Sequence, residues 1–95
     1  MAIAIAPAVT TSPALRAVTV NVTGGAATTA YTVTVSHPGG GVGHVEVTTD
    51  GSGAASFVYT SSQVGTATFA IRPSTEHKGT TAAAASGTLA LTGMN

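Results

Sequence analysis

Val45-Glu46-Val47-Thr48-Thr49-Asp50-Gly51-Ser52-Gly53-Ala54-Ala55-Ser56-Phe57-Val58-Tyr59-Thr60 reads as strand, turn, strand. Val45 and Val47 point one way and His44, Glu46 and Thr48 the other, the period of a half-buried strand. Asp50-Gly51-Ser52-Gly53 predicts a tight hairpin turn, because Asp-Gly takes the positive φ values such a turn needs. On the return, Ala55, Phe57 and Tyr59 share a face, with Val58 blurring the opposite one.

The alternation extends in both directions. Upstream, Val18, Val20 and Val22 form one inward row and Tyr31, Val33 and Val35 another, separated by Gly24-Gly25. His37-Pro38-Gly39-Gly40-Gly41 lies in a loop over 36–43, by its turn chemistry. Downstream, Ala67, Phe69 and Ile71 alternate with Thr66, Thr68 and Ala70 until Pro73 ends the strand. Residues 74–81 read as a polar loop. A last strand carries Ala83, Ala85, Leu89 and Leu91, although Ala82 to Ala85 also has helical propensity too short to stand alone. Residues 1–14 form an arm in which Ile3, Ile5 and Val9 alternate with alanine. Pro7 and Pro13 make it an edge strand or an extended tail.

Composition narrows the function classes. The chain has 95 residues, 18 of them Thr and 18 Ala, and only 6% are charged, against about 25% in an average domain. Three cations (Arg16, Arg72, Lys78) build no basic patch, so charge-driven nucleic-acid binding is not expected. With no cysteine, disulfides and thiolate metal sites are excluded. No run of about 18 apolar residues predicts a membrane helix, and Met1 to Pro7 lacks the charged start of a signal peptide. The expectation is one domain made in the cytoplasm.

The stretch 45–60, followed by Val64-Gly65-Thr66-Ala67-Thr68-Phe69-Ala70-Ile71 and preceded by Val18-Thr19-Val20-Asn21-Val22-Thr23-Gly24-Gly25, resembles bacterial and phage immunoglobulin-like (Ig-like) domains. Their T-D-x-x-G turn, A-x-F-x-Y strand and V-G-T-x-T/Y-x-F/V strand all have counterparts here. The resemblance covers about residues 15–92. It implies an all-β, Ig-like β-sandwich of about seven antiparallel strands, with 1–14 as an arm or edge strand, in a single domain spanning 1–95. The chain departs from antibody-type domains in having no Trp and no Cys pair. Such domains serve as adhesive or spacer modules and on phage tails and capsids. The resemblance therefore implies a structural virion protein on the capsid exterior, a phage capsid decoration (head accessory) protein. The alternatives are a tail-associated domain and an adhesion module of a bacterial surface protein. The implied partners are the major capsid protein, other virion proteins or second copies of the chain, without membrane or nucleic acid.

Candidate chemistry is thin. Gly39-Gly40-Gly41-Val42-Gly43 lacks the Lys-Ser/Thr of a phosphate loop. His44 and Glu46 share a strand face, but a third metal ligand would have to be His37 or His77. Ser36, His37 and Asp50 make a triad only on paper, with no nucleophile elbow. Asp50 and Ser52 fall far short of a calcium site. Asn21-Val22-Thr23 matches a glycosylation sequon but sits mid-strand. No catalytic residue, cofactor or metal is expected. The candidate partner contacts are Ile3 and Ile5 on the arm, and Arg72, Glu76, His77 and Lys78 around the polar loop, where three of the six charges gather. The arm either adds to a neighbour's sheet edge or pairs within its own sandwich, the reading its alternation favours.

Overall fold

The computed structural model describes residues 3–74 and 85–93. The described chain is all-β, with two sheets built from eight strands. These are β1 (Ala4–Pro7), β2 (Thr11–Pro13), β3 (Val18–Thr23), β4 (Ala30–Ser36), β5 (Val42–Thr48), β6 (Ala55–Tyr59), β7 (Gly65–Pro73) and β8 (Ala85–Thr92). One sheet runs β1-β3-β6 and the other β2-β8-β7-β4-β5. Among the described residues no helix is long and apolar enough to cross a membrane.

The inward rows read from the sequence are the core. Val18, Val20, Val22, Tyr31, Val33, Val35, Ala67, Phe69, Ile71, Leu89 and Leu91 are all buried. Phe69 is fully buried, and two rings meet it edge-on, Tyr59 with centroids 5.1 Å apart and Phe57 at 6.0 Å. That geometry sets ring edges against the electron-rich face. Val58, which blurred the reading of β6, points outward and is 66% exposed.

Three expectations need correction. The arm holds two strands rather than one, which raises the total from about seven to eight, and not all pairings are antiparallel. β1 pairs antiparallel with β3, whereas β2 pairs parallel with β8 in the opposite sheet. Ala8 donates to the Thr19 carbonyl at 2.7 Å. Bonded and non-bonded pairs alternate in an antiparallel ladder, so the nitrogen of Pro7, opposite Val20, faces the open edge, where a missing N–H costs nothing.

The second correction concerns Asp50 to Gly53. The turn is present, with Gly53 N–H donating to the Asp50 carbonyl at 3.0 Å, but it is no hairpin. β5 lies in the five-stranded sheet and β6 in the three-stranded one, so the turn carries the chain across the sandwich. The positive φ belongs to Gly53, at 80°, and not to Gly51. A methyl group on Gly53 would collide with the Gly25 carbonyl oxygen, while Gly25 N–H donates to the Gly53 carbonyl at 3.0 Å. The third correction is the glycine loop, which is shorter than 36–43. Ser36 ends β4 and Val42 begins β5, leaving a turn at 37–41 with positive φ at Gly39, Gly40 and Gly41.

Gly53→Ala should lower stability by about 2 kcal/mol or more, from the left-handed backbone and the backbone clash together. Gly51 has open space around it and no positive φ, so Gly51→Ala should stay within about 0.5 kcal/mol of the parent. Urea midpoints of the two variants measured side by side check the contrast.

Candidate interaction surface

The inward alternation of β4, β5, β7 and β8 has an outward counterpart. Register places Arg72, Thr32 and Glu46 in one row across the sheet. Ser86, Ala70, Thr34 and His44 make the next row, and Thr88, Thr68, Ser36 and Val42 the one after. Directly opposed residues share a face, so these rows form one continuous outer surface of hydroxyls and small apolar groups. Its charges stand at one end. Arg72 and Glu46 flank Thr32 on strands two apart, about 9.6 Å between backbones at the usual strand spacing.

The candidate contacts among the described residues do not share one surface. Ile5 is buried, 3% exposed, in the chain's own core, and Ile3 is half-buried against that core. The arm therefore pairs within its own sandwich, and the Ile5 side chain is not presented to a partner. Arg72 is half-buried on the outer sheet face. Glu76, His77 and Lys78 lie outside the described residues.

The candidate catalytic and metal-binding groups also separate. His37 Nδ1 lies 3.1 Å from the Tyr59 hydroxyl, and the two rings stack at 5.7 Å with planes 17° apart. Asp50 sits at the other end of β5, roughly 20 Å away by the rise of a strand. Its carboxylate accepts from Ser52 N–H at 2.8 Å and Ala54 N–H at 3.1 Å. Ser36, His37 and Asp50 thus do not converge. His44 and Glu46 do share the outer face, as their spacing implies. Among the described residues no group of three or more His, Asp or Glu side chains comes together as a metal site. Asn21 lies on the outer face of the three-stranded sheet, between Ala6 and Ser56.

One organising residue has no signature in the sequence. Thr49, next to the outward Thr48, is 3% exposed. Its hydroxyl accepts from Thr29 N–H at 2.8 Å and donates to the Ala26 carbonyl. Its own N–H donates to the Thr29 carbonyl at 3.0 Å. Ala26 N–H donates to the Tyr31 hydroxyl at 2.8 Å. These bonds pin the β3–β4 loop under the crossing turn and satisfy polar groups that burial would otherwise leave unpaired. Thr49 keeps the inward parity of Val45 and Val47, but it is polar and lies just past the end of β5, so hydrophobic alternation does not mark it.

No protein-family model matches the chain, and neither a curated protein nor a solved structure matches it.

The backbone N–H of Ala54, and then that of Ser52, hold the Asp50 carboxyl below its ordinary value of 3.8. A lowered folded-state pKa contributes stability above the unfolded value and loses it as pH falls through the folded one. The stability difference between the parent and Asp50→Asn should therefore be constant at neutral pH and shrink only below about pH 4. Parallel thermal melts of the two proteins from pH 7 to pH 2 check this.

Proposed function

We propose that the chain is an Ig-like β-sandwich acting as a structural virion protein, a capsid decoration protein that docks on the head lattice and performs no catalysis. Three features support the Ig-like reading. The strand orders β1-β3-β6 and β2-β8-β7-β4-β5 correspond to A-B-E and A′-G-F-C-C′. The first strand is divided between the two sheets. The chain crosses from one sheet to the other between β5 and β6, where Ig-like domains pass from C′ toward E. Fold alone assigns no role.

The observation that carries the function is the outer face of the five-stranded sheet. It is a broad row-by-row array of Thr, Ser, Ala and Val, with His44 at the β5 margin and the charges of Arg72 and Glu46 confined to one end. Depletion of charge is the compositional mark of interface centres, and a neutral surface tolerates dense packing of many copies. Docking through this face would be passive, by shape, apolar contact and hydroxyl hydrogen bonds. It uses Arg72 at the margin of the contact. It does not use Ile5.

Size fractionation of the native source followed by mass spectrometry tests the proposal. The chain should co-migrate with DNA-filled particles and stay with the heads when tails are sheared away. Loss with the tail fraction would move the assignment to a tail-associated domain, and recovery only as a free single chain would overturn the virion role. Thr68→Arg, in the middle of the face, should leave folding intact and reduce particle occupancy by about tenfold, as expected when an unpaired charge is desolvated at an interface.

A further inference from the structure

A sheet with open edges exposes unpaired backbone groups, and proteins usually blunt them with Pro, Lys or short strands. β1 and β2 are short and end in Pro7 and Pro13. β6 has five residues and no charge to set a register. β5 is different. It has seven residues, Val42–Thr48, with neither Pro nor Lys, and among the described residues it pairs only with β4.

The direction of its backbone groups follows from the hydrogen bonds at its ends. His37 N–H donates to the Gly41 carbonyl at 2.9 Å, and Thr49 N–H to the Thr29 carbonyl at 3.0 Å. Both pairs continue the β4–β5 register, in which Val35 faces Gly43, Val33 faces Val45 and Tyr31 faces Val47. Bonded and non-bonded pairs alternate, so Gly43, Val45 and Val47 turn their N–H and C=O groups toward β4. Val42, His44, Glu46 and Thr48 turn theirs to the open edge.

We propose that two copies of this chain join edge to edge through β5, antiparallel about a two-fold axis at Val45. That register sets Val42 opposite Thr48 and His44 opposite Glu46. These are the four residues with outward backbone groups, so each facing pair can exchange both of its hydrogen bonds. It also sets each His44 beside the partner's Glu46 on the outer face, twice by symmetry. The neighbouring in-phase registers fail this criterion. Centring on His44 puts imidazole against imidazole, and centring on Glu46 puts carboxylate against carboxylate, which is destabilising for directly opposed strand residues. On the inner side Val45 meets Val45 of the second copy, and Val47 meets the small Gly43. Within one copy the side chains beside His44 and Glu46 on this face are Thr34 and Thr32, with Arg72 beyond Thr32. The pairing is made by the backbone edge of β5, so it does not rest on docking through the adjoining sheet face.

Sedimentation over a concentration series, with amide exchange read by NMR at the two ends of the series, tests the proposal on the intact chain. The expected result is a concentration-dependent dimer. Amides of Val42, His44, Glu46 and Thr48 should gain protection with concentration, while those of Gly43, Val45 and Val47 are protected throughout. His44→Glu opposes two like-charge pairs and should weaken the dimer by about tenfold or more. Adding Glu46→Lys to it reverses the polarity of both pairs and should restore association. A monomer at every concentration up to about 1 mM, the range of weak association, would overturn the proposal and make Glu46 a guard of the edge. So would a dimer indifferent to His44→Glu, or a double variant that fails to recover.

Discussion

The sandwich depends on how closely its two sheets approach where the arm crosses between them. β1 belongs to the three-stranded sheet, yet the Ile5 carbonyl lies so near Gly87 of β8 that any side chain at position 87 would collide with it. Glycine is required there for lack of a Cβ, since its φ is not among the positive ones. With the strands this close, Ile5 reaches the common core. The chain then bends beyond Pro7 and rejoins the other sheet as β2, alongside β8. One short segment thereby ties both sheets together, and the Val, Phe and Leu rows behind it are sealed from water. In a core this small, burial of single side chains is a large share of the net stability.

That closure decides what the molecule can offer to others. With the arm used internally, the described surface consists of the outer faces of the two sheets, the open strand edges and the loop ends. The outer face of the five-stranded sheet is poor in charge and rich in hydroxyls, which suits broad contact. The β5 edge carries alternating His44 and Glu46, which suits strand pairing in one register. The two surfaces are contiguous, because His44 and Glu46 lie in the same rows as Thr34 and Thr32. A copy paired through β5 would therefore extend the same face.

The β3 to β8 core was readable because each of those strands has one buried and one wetted face, so alternation reports burial directly. The arm's division was not readable. Pro7 and Pro13 mark edges but do not say which sheet each edge borders, and the parallel partner β8 lies far along the chain. The turn at Asp50 illustrates the same limit of local signals. Asp50, Gly51 and Gly53 specify a reversal, while the sheet that β6 joins is set by its pairing with β3 and by the close approach of Gly53 to Gly25. Thr49 shares the inward parity of Val47, but its side chain is polar and its burial serves the β3–β4 loop, so a pattern of apolar residues does not reveal it. Of the contacts named from the sequence, Arg72 sits on the outer face, Ile5 is in the core with Ile3 half-buried against it, and Glu76, His77 and Lys78 lie outside the described residues.

The claim on which the rest stands is that the arm is an integral part of the sandwich. Native-state amide exchange under increasing urea tests it directly. Ala8 N–H is bonded to the Thr19 carbonyl, and ladder alternation gives Ala6 the same role opposite Asn21. The account predicts that the amides of Ala6 and Ala8 open with the same free energy and urea dependence as those of Val33 and Phe69, in one cooperative transition. Exchange of the two arm amides by a low-energy opening insensitive to urea, with the core still protected, would contradict it. The arm would then be a detachable tether, and Ile5 would return as a residue available to a neighbour.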